Sequence, residues 1–232
     1  MELVIDGRRI EAPADVSLLS LIQQLGMDGV CLSQRPLAAK IAGEVFNLNY
    51  IPVREKDAQQ DRPSIRRAMA ASGGKVHLLR YSDPTGKDVY GRPAQFVLFL
   101  AIHRLWPKAK ATMTCSLGPA LYIRVDGAEN FSAEALKTQV TKLVATDIPL
   151  IRNRIPTKEA ISKFEAMGET DKASLLQWRQ AEHFDVYCHD EFMDYYYGEL
   201  APSTGYLSVW DILPCEGGFF FLFPDDLNPD QV

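Results

Sequence analysis

The strongest constraint on folding is an apolar run near the middle of the sequence, Ala94–Ile102, with Pro93 before it and the charged Arg104 shortly after it. The run is much shorter than the roughly 20 apolar residues that a membrane-spanning helix needs. Because proline is favourable in the first turn of a helix, the sequence predicts a buried helix that begins at Pro93 and ends after Trp106, before Pro107. Such a helix belongs to the core of a globular domain.

The composition is that of a chain able to bury one large core or two smaller ones. The chain has 232 residues, of which 47% are hydrophobic and 24% are charged. Its net charge of −5 excludes a uniformly basic surface, so any nucleic-acid contact must come from a local patch. The sequence has no secretory signal and no Cys-x-x-Cys pair. These features predict a cytoplasmic protein with reduced thiols and no membrane partner.

Residues 1–90 predict a small ubiquitin-like β-grasp domain. A hairpin is expected to turn at Asp6-Gly7, because this pair tolerates the positive φ angles of a tight turn. Asp15 and Gly26 are expected to cap and to end a short helix. The predicted strands are residues 2–5, 8–12, Ala38–Ile41, Glu44–Leu48 and Lys75–Tyr81.

A basic segment interrupts this region. Residues 54–80 hold seven Lys or Arg and three acidic residues. Together with their Gly, Ser and Gln content, this charge predicts a mobile surface insertion over residues 54–74. Two interpretations stay open for the segment: a solvated loop without a ligand, or a contact to RNA or another anion through Arg62, Arg66 and Arg67.

Residues 91–223 predict a second, α+β domain. Ser132 is a typical helix N-cap and precedes apolar residues at helical spacing. Thr157 and Asp171 are expected to cap two shorter helices. Strands are predicted at Thr112–Leu117, at Leu121–Val125 and within Phe184–Phe223. Residues 224–232 are polar and contain two prolines, so we expect a linker towards a domain that this sequence does not contain.

Segments of both domains carry a family resemblance. Phe99–Pro107, Tyr187–Asp194 and Gly198–Pro202 resemble the second, editing-type domain of threonyl-tRNA synthetases. Lys40–Leu48 resembles the TGS domain that precedes it in those enzymes. The resemblance implies a TGS β-grasp domain followed by an α+β domain like the editing domain of threonyl- and alanyl-tRNA synthetases.

A closer resemblance is to the amino-terminal half of bacterial uridine-kinase-like nucleoside kinases, through Asp194–Tyr206 and Phe221–Pro229. That family carries the same two domains before a P-loop kinase domain. The resemblance implies an attached kinase domain, which would bind ATP and Mg²⁺. No cofactor is expected in this chain, because its nearest approach to a phosphate loop, Thr85-Gly86-Lys87-Asp88, lacks the Ser or Thr that follows the lysine.

Editing domains of this type use a His-x-x-x-His pair on a helix and a later Cys-x-x-x-His pair. The resemblance aligns the helix histidines with Phe96 and Leu100. It aligns the cysteine with Tyr196 and the last histidine with Leu200. Because none of these side chains can act as an imidazole base or a thiolate ligand, the resemblance implies no catalytic residue and no metal site here.

The replaced positions leave two interpretations open. In the first, Phe96, Leu100, Tyr196 and Leu200 line a degenerate editing cleft, where the neighbouring Tyr195 and Tyr197 offer ring faces to a base. In the second, the aromatic and apolar side chains simply fill the former cavity as core.

A short run of possible metal ligands lies elsewhere in the sequence. Its members are Cys188, His189, Asp190, Glu191 and Asp194. Because successive residues of a strand point to opposite faces, one such run cannot surround an ion. An exposed acidic edge is the favoured interpretation.

The preferred hypothesis is a non-catalytic module that binds a tRNA, a nucleoside or a nucleotide and regulates an attached kinase domain. Its basis is the family-like architecture combined with the loss of the catalytic side chains. The alternative is an enzyme, an aminoacyl-tRNA deacylase with a rebuilt site that uses Cys188, His189 or His183.

Overall fold

The computed structural model describes residues 1–52 and 63–232, apart from the side chains of residues 63 and 64. The described residues form a mixed α+β fold. The strands are β1 (Glu2–Ile5), β2 (Arg8–Glu11), β3 (Ala38–Ile41), β4 (Glu44–Phe46), β5 (Lys75–Leu79), β6 (Lys110–Leu117), β7 (Ala120–Asp126), β8 (Arg152–Pro156), β9 (His183–His189), β10 (Phe192–Asp194), β11 (Asp211–Cys215) and β12 (Gly218–Leu222). The helices are α1 (Leu18–Gln24), α2 (Pro63–Ser72), α3 (Pro84–Leu105), α4 (Ala133–Thr146), α5 (Thr157–Ala166) and α6 (Thr170–Gln177).

The amino-terminal strands form one five-stranded sheet in the order β2-β1-β5-β3-β4. β1 and β5 pair in parallel, and the other neighbours pair antiparallel. The predicted hairpin is confirmed: Asp6 and Gly7 both have positive φ angles between β1 and β2. Helices α1 and α2 cover this sheet, and its core includes Leu3, Ile22 and Phe46.

The first helix begins later than the sequence predicts. Ser17, and not Asp15, is its N-cap, and the Ser17 hydroxyl accepts a hydrogen bond from the Ser20 amide at 3.2 Å. Asp15 has a φ angle of +64°. An N-cap residue needs extended backbone, so Asp15 cannot take this position.

The prediction of a mobile loop over residues 54–74 is wrong for the second half of this segment. Residues Pro63–Ser72 form helix α2, in which Ile65, Ala68 and Met69 are buried against the five-stranded sheet. Their spacing of three and four residues gives the helix an apolar face, which the high local charge concealed. Arg66 and Arg67 are exposed on α2, whereas Arg62 lies outside the described residues.

The central helix α3 also differs from its prediction, because it starts at Pro84 and contains Pro93 in its interior. An interior proline forfeits one helical hydrogen bond. The helix continues through it because residues on both sides, such as Val89, Tyr90 and Val97, are buried in the largest hydrophobic cluster. The expected end of the helix at Trp106 and the burial of the apolar run Ala94–Ile102 are confirmed.

Two further sheets follow α3. One has four antiparallel strands in the order β11-β12-β7-β6, and the other has three in the order β10-β9-β8. Ser132 caps α4 as predicted. The caps predicted for the next two helices are wrong by one and two positions, because Pro156 and Glu169 occupy them instead of Thr157 and Asp171.

The expected linker, residues 224–232, folds back onto the rest of the chain. The Tyr81 hydroxyl donates a hydrogen bond to the Pro224 carbonyl at 3.1 Å. Lys87 forms an ion pair with Asp226 at 2.6 Å, and Ser33 donates two hydrogen bonds to Asp230. None of the described helices is long and apolar enough to cross a membrane.

Polar side chains after β4 join the five-stranded sheet to the rest of the fold. The Asn47 side-chain amide is buried and donates to the carbonyls of Leu150 and Leu200 at 3.3 and 2.9 Å. The Asn49 amide donates to the Pro202 carbonyl at 2.8 Å. Because these bonds link parts of the chain more than one hundred residues apart, they fix how the two halves meet.

Replacing Asn47 with alanine should lower the free energy of unfolding by about 2 kcal/mol, because two buried carbonyls lose their donor. Urea unfolding monitored by circular dichroism measures this change. Asn49→Ala, which removes a less buried bond, is the matched control and should cost less. A loss below about 0.5 kcal/mol in Asn47→Ala would contradict the structural role assigned to this amide.

Candidate functional site: an arginine and tyrosine cavity

Three of the four predicted cleft positions are packed inside the molecule. Phe96, Leu100 and Leu200 are at most 1% exposed and belong to one hydrophobic cluster. The Phe96 ring lies edge-on to the Phe192 ring, with 5.4 Å between the ring centres. This burial favours the interpretation in which these side chains fill the core.

The fourth position, Tyr196, is half-buried beside its two neighbouring tyrosines. Its hydroxyl donates a hydrogen bond to Asp194 at 3.2 Å, and burial together with this carboxylate raises the pKa of the Tyr196 phenol well above its usual value. The Tyr195 ring packs edge-on against Phe184, at 5.0 Å between centres. Tyr197 is 77% exposed. Of the three tyrosines that follow strand β10, two are thus half-buried and the third is exposed.

These tyrosines line a cavity of about 190 Å³, which we call the arginine–tyrosine cavity. It lies where β8, the start of β9 and the loop after β10 meet. Arg152 and Arg154 come from β8, an edge strand, and point to the same side because they are two residues apart. The lining residues are Arg152, Arg154, Arg179, His183, Phe184, Asp185, Tyr195, Tyr196, Tyr197 and Gly198.

The three arginines are held in different ways. The Arg152 side chain is 9% exposed and donates to the Gly198 carbonyl at 2.8 Å. The Arg154 side chain is 52% exposed and contacts Asp185 at 3.0 Å. The Arg179 guanidinium lies over the Phe184 ring, 5.0 Å from its centre. The outer two can therefore reach a bound anion, whereas Arg152 stabilises the cavity wall.

Behind this wall, Arg152 forms a buried ion pair with Glu199. Their closest atoms are 3.1 Å apart, and the Glu199 side chain is 2% exposed. Burial raises the pKa of the Glu199 carboxyl to about 7, although Arg152 and the hydrogen bond from Tyr50 act in the opposite direction. The Tyr50 hydroxyl lies 3.3 Å from Glu199, so this carboxyl connects the cavity wall to the amino-terminal half.

The other predicted residues lie apart from this cavity. Cys188 is exposed on β9, and Asp194 is buried and paired with Lys172 at 2.8 Å. Within the two described ranges, no group of three His, Cys, Asp or Glu side chains could hold a metal ion. Arg66 and Arg67 on α2 do not line the cavity. The structure thus places His183 beside the tyrosines of the cavity. Cys188 and His189 do not line it.

Comparisons with known proteins give threonine–tRNA ligases as relatives. The enzyme of Carboxydothermus hydrogenoformans is 30% identical over 214 residues, which cover 90% of this chain and 30% of the relative. The enzyme of Syntrophomonas wolfei is 23% identical over 219 residues, covering 93% and 31%, and that of Symbiobacterium thermophilum is 26% identical over 219 residues, covering 93% and 30%. No protein-family model matches the chain.

This chain is therefore similar over nine-tenths of its length to part of a threonine–tRNA ligase, and spans about 30% of those relatives. The similarity supports the predicted editing-like module within an α+β fold. It gives no support to the expected kinase attachment, and the TGS assignment of the first domain stays a prediction.

Sequence reasoning missed the arginines of the cavity and the buried pair behind it. The alternation Arg152-Asn-Arg154 was the available signal, because on a strand it places two cations on one face. Glu199 and Tyr50 gave no such signal, since their contact joins residues 149 apart.

Glu199→Gln should flatten the dependence of stability on pH. The Glu199 pKa is about 7 in the folded state against an ordinary value of 4.5, so between these pH values the folded protein holds the extra proton. The free energy of unfolding contributed by this group is therefore greatest below pH 4.5 and falls as pH rises towards 7. Urea unfolding at a series of pH values measures this slope. The exposed Glu191→Gln should keep the wild-type slope, and an equal slope in Glu199→Gln would contradict the assignment.

Proposed function

We propose that this chain is a non-catalytic RNA-binding module, related to the editing region of threonine–tRNA ligases, that holds the 3′-terminal nucleotide of a tRNA. The observation that carries the proposal is the arginine–tyrosine cavity, where Arg154 and Arg179 lie beside Tyr195 and Tyr197. Arginine forks suit phosphate oxygens, and tyrosine rings offer stacking faces to bases. This pairing of residue types is what single-stranded RNA requires.

The size and exposure of the cavity support a single nucleotide as the ligand. Its volume of about 190 Å³ is below the range of roughly 300–1,000 Å³ found for drug-sized pockets. One base therefore fits against the tyrosines, and its phosphate would lie at the exposed Arg154. RNA ends are recognised in this way because their bases are free to leave the stack.

The absence of catalysis is the second part of the proposal. Phe96, Leu100 and Leu200 are buried apolar residues and cannot transfer protons. Burial and the Asp194 carboxylate raise the pKa of the Tyr196 phenol well above its usual value, so this group is a poor base. The module would hold an RNA end without hydrolysing an ester on it.

The expected attachment to a P-loop kinase domain is a separate proposal. Binding of RNA or a nucleotide here would regulate that kinase in the cytoplasm, and ATP and Mg²⁺ would bind only to the kinase domain. The reading frame that follows the codon for Val232 tests this proposal, since a Gly-rich phosphate loop must appear there.

A second candidate function, an aminoacyl-tRNA deacylase, is favoured by one observation: His183 lines the same cavity. An imidazole there could serve as a general base. Incubation with mischarged tRNA separates the two candidates. We expect no hydrolysis above the buffer rate, whereas hydrolysis that disappears in His183→Ala would establish the deacylase.

Tyr197→Ala should weaken binding of a short single-stranded RNA ending in CCA by about 5- to 150-fold, because stacking on an aromatic ring contributes roughly 1–3 kcal/mol per base. Arg154→Ala should also weaken binding and should reduce its dependence on salt. Fluorescence anisotropy of a 5′-labelled RNA measures both effects.

The matched control is Arg67→Ala, which removes an exposed arginine from α2. It should leave the affinity within about twofold of wild type. A larger loss in Arg67→Ala than in Arg154→Ala would move the RNA site to the basic segment and contradict the proposal.

A further inference from the structure

A cavity of about 310 Å³ lies between the end of α3, the end of α5 and the hairpin of β9 and β10. One of the four cysteines and two of the six methionines of the chain line it, so we call it the sulfur cavity. These three residues are Cys188, Met167 and Met193. The sulfur cavity shares no residue with the arginine–tyrosine cavity, and the proposed function does not use it.

Strand pairing brings two of the sulfur atoms together. Cys188 on β9 lies directly opposite Met193 on β10 in the antiparallel register. Residues in such a pair project from the same face of the sheet, with Cβ atoms about 4.5–5.5 Å apart. Val186, two residues before Cys188, is buried in the same cluster as Met193 and residues of α5. Because side chains two residues apart on a strand share a face, Cys188 and Met193 both project towards α5.

The third sulfur atom comes from the end of α5. Met167 directly follows the last residue of this helix and packs against the cluster that contains Met193. Lys163, one turn earlier on the same side of the helix, also lines the cavity. Its ammonium group forms an ion pair with Glu159 at 2.9 Å. Because this charge is compensated, the cavity can accept a cation beside it.

A thiol together with two thioethers favours a soft, monovalent metal ion. Thiolate and thioether sulfur atoms select Cu(I), whereas Zn²⁺ sites use thiolate, imidazole and carboxylate ligands. Apolar groups of Ala166 and Phe192 line the same cavity. One thiolate balances the single charge of Cu(I), but a divalent ion would keep a net positive charge, which is costly in apolar surroundings. The charge of the ion and the kind of ligand thus point to Cu(I).

We propose that the sulfur cavity binds one Cu(I) ion through the sulfur atoms of Cys188, Met193 and Met167. The Cys188 thiol releases its proton to solvent when its sulfur binds the ion, and no electron is transferred. The sequence run that contains Cys188 could not surround an ion by itself. Ligands from β10 and from the end of α5 remove this obstacle. The proposal does not depend on RNA binding at the arginine–tyrosine cavity.

Anaerobic titration with Cu(I) in competition with the chelator bicinchoninate tests this proposal. The full chain carrying Cys31→Ser, Cys115→Ser and Cys215→Ser keeps Cys188 as its single thiol. This single-thiol chain should bind one equivalent of Cu(I), and an excess of Zn²⁺ should not displace the ion. Adding Cys188→Ser should abolish binding. X-ray absorption at the copper edge should show sulfur neighbours and no nitrogen or oxygen neighbours.

The methionines distinguish this site from a simple reaction of Cu(I) with a cysteine. Met193→Leu and Met167→Leu in the single-thiol chain keep the side-chain volume but remove the sulfur. Each should weaken Cu(I) binding by about tenfold or more, since even residues behind a metal ligand contribute about 10- to 100-fold to affinity. Met113→Leu, which changes an exposed methionine of β6 outside the cavity, is the matched control and should bind like its parent.

Three results would each overturn the proposal. The first is a single-thiol chain that takes up no Cu(I) from the chelator. The second is unchanged affinity in both Met193→Leu and Met167→Leu, which would leave a cysteine as the only ligand. The third is displacement of the Cu(I) by Zn²⁺. Circular dichroism of each variant checks its folding. Because Met167 is only partly buried, Met167→Leu carries the test if Met193→Leu does not fold.

Discussion

The buried contact of Arg152 with Glu199 is the interaction on which the candidate site depends. Loss of Arg152 would leave the buried Glu199 carboxyl without its closest cation, whereas loss of Glu199 would leave Arg152 with Asp185 at 3.5 Å. Arg152 also donates a hydrogen bond to the Gly198 carbonyl. Glu199 accepts a hydrogen bond from the Tyr50 hydroxyl of the amino-terminal half. This pair of side chains therefore joins the cavity wall to the amino-terminal half, together with the hydrogen bonds of Asn47 and Asn49.

The packing of α3 shows where the positions that align with the editing histidines lie. Phe96 and Leu100 lie on this helix and meet Phe192 and Leu200 in the core. Apolar side chains at these positions stabilise the helix contacts that polar groups would weaken unless they were hydrogen-bonded. Tyr197 and Arg154, by contrast, are exposed at the surface. Both halves of α3 are packed, with Val89, Tyr90 and Leu98 among its buried residues.

Local signals allowed much of the fold to be predicted. The turn at Asp6-Gly7 and the cap at Ser132 depend on the conformation of a few neighbouring residues, and both are found as expected. The predicted start of α3 was wrong. Pro93 is a strong local signal for a helix start, but the helix begins before it, at Pro84, because Val89 and Tyr90 are buried. Helix α2 was missed because charge dominated a segment whose three apolar residues meet the sheet.

The candidate site was less predictable for a physical reason. The sequence marked Tyr195, Tyr196 and Tyr197 as possible binding residues, and these three do line a cavity. Arg154 and Arg179 join them only through the pairing of β8 with β9 and the position of α6, which involve contacts between distant residues.

The proposed binding of an RNA end is tested most directly by a crystal structure of the chain with a short RNA ending in CCA. The account predicts the terminal base against the ring of Tyr195 or Tyr197 with its phosphate at Arg154 or Arg179, whereas an RNA end seated on Arg66 and Arg67 of α2 would contradict it.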